Sequence, residues 1–177
     1  IANSSEAEAL KDTADLSRDQ QSKIIGQITT NWDANDAKNK AQTHLTAVSD
    51  DLKGDVAILA PNDGTARSIA DVFGSDGAVS SFLVTGQDAE KASIQYILDS
   101  KQSMTVFKDV RTLVKDAMGM AVEVLDDKTP ETTGSYDNGE IEVKAKQTDV
   151  IVVDKANVKK ELIDSEYYEA DEFTGLE

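Results

Sequence analysis

The sequence predicts an α/β fold, a mostly parallel sheet flanked by helices. Three observations carry this. Short apolar or β-branched runs alternate with helical stretches, at a period of roughly 25–30 residues, over the first two thirds of the chain. Two of the runs, 55–60 and 81–85, are continuous rather than alternating, as in strands buried on both faces. Aromatics at 5% and two prolines suit an α/β or α-rich protein better than a β-sandwich, and the lack of cysteine excludes a disulfide scaffold.

The elements follow in order. Residues 1–22 are polar and charged and read as an arm or loop, with a weak helical pattern at 6–16. Residues 23–30 are short and rich in β-branched side chains, which predicts a strand. Ala37, Ala41, Leu45 and Val48 recur at helical spacing over 34–48, with Asp33 placed as the N-cap. A strand is expected at 55–60, stopped by Pro61, and a helix at 65–73, ended by Gly74, Asp76 and Gly77. Then come a strand at 81–85, a helix at 89–100 and a strand at 103–107. The longest apolar stripe (Val110, Leu113, Val114, Ala117, Met118, Ala121, Val122, Leu125) predicts a helix whose apolar face packs on other structure. Beyond Pro130, residues 139–153 read as two strands around a polar turn, through Glu140–Val143 and Val150–Val153. Asp154 caps a final helix at 155–164, and the acidic end 165–177 reads as solvated.

Charge narrows the partners. Eighteen Lys and Arg stand against 34 Asp and Glu, a net charge of −16. Nucleic acid and anionic membranes would be repelled. The absence of cysteine excludes a thiolate zinc site or Cys nucleophile, and the lone His44 excludes a multi-histidine centre. His44 itself reads as an ordinary surface or boundary residue of its helix. No apolar run approaches the ~20 residues of a membrane span. The first residues carry no signal-peptide pattern and no initiator Met, so a mature or truncated product is expected.

In parallel sheets, ligands bind at the carboxyl ends of the strands. Those ends carry Asn31-Trp32-Asp33, Pro61-Asn62-Asp63-Gly64, Gly86-Gln87-Asp88 and Lys108-Asp109. One edge thus gathers the only Trp, two side-chain amides, several carboxylates and a Lys. Sugar hydroxyls donate and accept together, so carboxylates, amides and an ammonium suit them. The C–H face of a sugar ring stacks on an aromatic ring. The candidate ligand residues are Trp32, Asn62, Asp63, Asp88 and Lys108. Each also has a structural reading: Asp33, Asp63 and Asp88 precede helices and suit N-caps, Asn62-Asp63-Gly64 suits a turn, and Trp32 suits a core.

Together these segments resemble the type I periplasmic sugar-binding proteins of ABC transporters, in the xylose and multiple-sugar receptor branch. The likeness rests on Trp32-Asp33-Ala34, Ala60-Pro61-Asn62-Asp63-Gly64, Thr85-Gly86-Gln87-Asp88-Ala89-Glu90, Met104-Thr105-Val106-Phe107-Lys108-Asp109 and Tyr167-Tyr168. It implies one lobe of a two-lobed, Rossmann-like fold. Trp32 would stack on the sugar, Asn62 or Asp63 and Asp88 would bond its hydroxyls, and Lys108 would lie by the hinge within reach of the ligand. The family is nearly twice as long, so the likeness implies a missing N-terminal lobe. Residues 23–108 would form the sugar-binding lobe, 109–138 a hinge-crossing helix and loop, and 139–177 the segment returning to the lobe. The helix at 109–126 would pack on the missing lobe and so lack its partner here.

The implied function is the solute-binding component of an ABC sugar importer. It would be extracytoplasmic, bind a monosaccharide, present it to a membrane permease, need no cofactor and do no chemistry. The alternative is the sugar-responsive effector domain of a transcriptional regulator, which shares the fold; no helix-turn-helix is present here. An enzyme binding Mg²⁺ through Asp63 and Asp88 is opposed by the lack of a phosphate loop or a nucleophile–base pair.

Overall fold

The structure, a computed structural model, describes residues 17–24 and 26–176. The helical pattern at 6–16 lies outside them. The helices are α1 (Arg18–Ser22), α2 (Ala34–Ala47), α3 (Asp63–Ser75), α4 (Lys91–Leu98) and α5 (Val110–Leu125). The strands are β1 (Asp55–Ile58), β2 (Ser81–Val84), β3 (Met104–Phe107), β4 (Gly134–Asp137), β5 (Glu142–Ala145) and β6 (Ile151–Asp154).

β1 and β2 pair in parallel, with Asp55 opposite Ser81 and Ile58 opposite Val84. β3 joins them through an isolated parallel bridge, Gln87 to Val106, supported by the Val106 N–H donating to the Gly86 carbonyl at 3.0 Å. β6 closes the far edge antiparallel to β3, Thr105 opposite Val153. Strand order therefore advances in one direction, β1-β2-β3. Right-handed crossovers then place successive helices on one face. Val56, Ile58, Phe82 and Val84 pack against α2 and α3, while Phe107 and Val153 pack against α4. The opposite face shows Leu59, Leu83 and Val152 to solvent. Among the described residues, helices on both faces are not seen, and the buried-strand reading of 55–60 holds for one face only.

The caps expected from sequence form at α2, where Asp33 Oδ1 accepts from the Asp36 N–H at 2.7 Å. Residues 26–30, expected in a strand, have no ladder partner among the described residues. They lie along α2 instead: Lys40 Nζ donates to the Thr29 carbonyl at 2.6 Å, and Gly26 sits against the His44 ring, where a Cβ would intrude. His44 is half-buried, as its helical position suggested.

The region beyond α5 departs most from the sequence reading. The two strands expected in 139–153 exist as β5 and β6, but do not pair with each other. β5 pairs with β4, a strand not expected, around a turn at Asn138-Gly139 with Gly139 at φ +88°. Asn138 Oδ1 accepts from the Glu140 and Ile141 N–H groups and holds that turn. The final helix shrinks to a π-helical turn, Lys159–Ile163. The acidic end is docked rather than solvated: Phe173 is buried, and Phe107, Tyr167, Tyr168 and Phe173 form a row of edge-to-face rings. Apolar area gained by four rings outweighs the acidic residues between them. No residue of α5 is buried, so the expected packing of its stripe is absent from the described residues.

Candidate functional site

The edge at the carboxyl ends of β1, β2 and β3 is built by short bonds between consecutive loops. The Thr85 N–H donates to the Ile58 carbonyl, the Asp63 N–H to the Gln87 carbonyl and the Asp88 N–H to the Val106 carbonyl. The loops carrying Asn62, Asp88 and Lys108 are thereby brought side by side. α2 leads into the start of β1 through residues 48–54, which include a 3-10 turn at Asp50–Leu52. Its 14 residues span about 21 Å at helical rise. Trp32 stands just before its N-terminal end.

Trp32 is displayed, not packed. Its side of the turn runs through two left-handed residues, Asn31 at φ +50° and Trp32 at φ +64°, closed by the Asp33 N–H donating to the Thr30 carbonyl at 2.9 Å. Left-handed backbone at a bulky residue is strained and marks functional positions. Trp32 is 62% exposed, so the core reading is set aside.

Asn62 is the N-cap of α3: its Oδ1 accepts from the Thr65 N–H at 3.0 Å and from Thr65 Oγ1 at 2.6 Å. That fixes the amide and leaves Nδ2 without a partner among the described residues. Asp88 is no cap. It lies at φ +102°, with Ala89 at φ +51°, and its Oδ1 pairs with Lys108 Nζ at 3.1 Å. Both side chains are partly exposed, so the pair adds little stability, about 0–1 kcal/mol. It does align an acceptor and a donor at the surface.

Asp63 departs from the sequence expectation. It is fully buried, and its carboxylate faces protein donors only: Gln102 Nε2 at 2.9 Å, Thr105 Oγ1 at 2.8 Å and the Glu90 N–H at 2.8 Å. Burial raises its pKa, against the lowering by those three bonds. Gly86 lies against it so closely that a Cβ would collide with the carboxylate and with the Gln102 amide. Gln102 had no sequence signal, being one polar residue before a strand.

Arg111 was also missed. It grips Asp109 with Nε and Nη2, donates to the Ser165 and Glu166 carbonyls and lies 5.1 Å from the Tyr167 ring centroid. Its hydrogen bonds hold the Asp109 carboxyl below its ordinary value. This ties the exit of β3 to the returning end of the chain. A shallow polar recess lined by Asn39, Gln42, Thr43, Thr46 and Ala47 lies along the solvent face of α2, away from the strand ends.

The model of the periplasmic binding protein domain matches residues 4–129. The chain is 35% identical over 150 residues to the multiple sugar-binding periplasmic receptor ChvE of Rhizobium radiobacter, covering 81% of this chain and 42% of that protein. It is 32% identical over 142 residues to the D-xylose-binding periplasmic protein of Haemophilus influenzae, covering 80% and 42%. Among solved structures, a carbohydrate transporter solute-binding protein of Chloroflexus aurantiacus in complex with D-glucose is 59% identical. It superposes with a TM-score of 0.84, covering all of this chain and 52% of that one. An ABC transporter solute-binding protein of Clostridium phytofermentans with bound β-D-glucose is 31% identical, with a TM-score of 0.71, covering 80% and 44%. The chain thus spans about half the length of these relatives. Its strand order, its helices and these matches agree: the chain belongs to the periplasmic binding protein domain family, with the fold of one lobe of a type I member.

Proposed function

We propose that this chain supplies one wall of a monosaccharide-binding cleft in the extracytoplasmic solute-binding component of an ABC sugar importer. One observation carries the reading: the loops bearing Asn62, Asp88 and Lys108 lie side by side at the exits of β1, β2 and β3, and an exposed Trp32, held in a left-handed turn before α2, offers an aromatic face. The Trp32 ring takes the C–H face of an aldopentose or aldohexose. Asn62 Nδ2 donates to one hydroxyl, Asp88 accepts from another, and Lys108 donates beside it. Asp63 supports these groups from beneath. The sugars named for the relatives, D-glucose and D-xylose, support this class of ligand.

In this reading 23–108 is the binding lobe, 109–138 crosses the hinge, 139–177 returns to the lobe, and 1–22 is an arm. A further N-terminal lobe supplies the second wall, closure excludes water, and the closed form engages a membrane permease. No catalytic residue is assigned, since the site holds no nucleophile with an adjacent base. The reading is tested by titration calorimetry of xylose, glucose, galactose, arabinose and ribose, on this chain and on the chain joined to an upstream lobe from its Chloroflexus relative. Binding that disappears in Trp32→Ala is expected. Absence of heat with all five sugars in both forms would overturn it.

A further inference from the structure

We infer that Asp63 is a positioning residue for the loop 86–90, setting the backbone on which Asp88 is presented; this rests on the sugar-binding reading above. Asp63 brackets that loop from both ends. Its N–H donates to the Gln87 carbonyl at 2.9 Å, and its Oδ2 accepts from the Glu90 N–H at 2.8 Å. It reaches the middle of the loop through Thr105, whose Oγ1 donates to Asp63 Oδ1 at 2.8 Å and accepts from the Ala89 N–H at 3.1 Å. Residues 87, 89 and 90 are thus held by Asp63 directly or through one hydroxyl. Between them sit the left-handed residues Asp88 and Ala89, a conformation that L-residues avoid unless the surroundings over-determine it.

The surroundings do so at a cost. Gln102 is buried, spends Nε2 on Asp63 Oδ1 and the Met104 carbonyl, and leaves Oε1 with no partner among the described residues. An orphaned buried acceptor is destabilising, and so is a buried carboxylate. A network that spends stability to hold one loop is explained by what the loop carries. Gly86 completes it, because only a residue without a Cβ lets the carboxylate and the Gln102 amide lie against the strand end.

The test separates positioning from general stability and from sugar binding. Amide hydrogen exchange by NMR is measured on the chain, Asp63→Asn, Thr105→Val and Thr105→Ser, with calorimetric titration of D-glucose alongside. Asp63→Asn turns a donor toward the Glu90 N–H, and Thr105→Val removes the relay to Ala89. Each is expected to speed exchange at Ala89 and Glu90 by about tenfold or more, with Leu45 in α2 unchanged, and to weaken glucose binding by about tenfold. Thr105→Ser keeps the hydroxyl and preserves both. Should Asp63→Asn not fold, the Thr105 pair decides alone. Unchanged exchange at 89 and 90, or acceleration spread equally over the chain, overturns the inference. Where the wild-type chain binds no glucose, the exchange arm decides the role of Asp63 by itself, and the proposed function is decided by the five-sugar titration above.

Discussion

Gly86 joins the binding edge to the core, and its substitution has a calculable direction. Gly86→Ala drives a methyl into Asp63 and Gln102, both buried, so the strain has no flexible outlet. A loss of about 1–3 kcal/mol is expected, read as a lower denaturant midpoint. No change would mean that the loop relaxes freely. The carboxylates divide by sign. Arg111 lowers the pKa of Asp109, and Lys91 lowers that of Glu172. Their stabilising contribution is present above the ordinary carboxylate range and disappears as pH falls through their depressed values. Asp63 runs the other way. Burial raises its folded pKa, so the folded state binds the proton first, and its penalty is relieved as pH falls from the raised value toward the ordinary one. Carboxyl carbon shifts against pH should place Asp63 above, and Asp109 and Glu172 below, an exposed aspartate or glutamate. Asp63 titrating at or below the ordinary range would contradict its desolvation. Trp32 was placed after a strand expected at 23–30 that is not found among the described residues, whereas Asn62, Asp88 and Lys108 were legible as candidates because apolar runs mark the ends of β1, β2 and β3. The inward turn of Asp63 was not, because Gln102 and Thr105 lie far along the chain and only folding brings them to it.

Among elements, α5 separates periodicity from burial. Its stripe is well formed, yet Val114 and Met118 are 61% and 62% exposed. Met118→Gln is therefore expected to change the stability of this chain by less than about 0.5 kcal/mol. Ile94→Ala, at a fully buried position of α4, should cost about 2–5 kcal/mol. Urea midpoints of the two variants compare them, and a large loss from Met118→Gln would show that α5 packs in solution. Helix bounds came close from sequence because caps and periodicity are local: 34–48 was expected and Ala34–Ala47 is found. Strand pairing is not local. The pattern of 23–30 suits a strand, yet residues 26–30 have no ladder partner among the described residues, and β4 formed because a hairpin turn at Asn138-Gly139 gave β5 one.

At the scale of the molecule, the net charge and the proposed single-wall role set the expected binding. With a net charge of −16, the chain disfavours anionic ligands. A phosphorylated sugar should bind at least about tenfold more weakly than its neutral parent at low salt, by calorimetry; equal affinity would point to an unrecognised anion site. On the proposed reading, this chain makes only part of the contacts of a closed cleft. The chain alone should bind in the millimolar range, and joining it to an upstream lobe should gain about a hundredfold or more. Sequence by itself determined the α/β class, the longer helices, the Asp33 cap of α2 and the resemblance to a sugar-binding family. These follow from short-range periodicity and from motifs a few residues long. Only the tertiary structure decided that successive helices share one face, that Trp32 is displayed, that Asp63 is buried beneath the loop it supports, and that the acidic end docks through an aromatic row. Each depends on contacts between distant segments, where burial and hydrogen-bond geometry, not local preference, select the outcome.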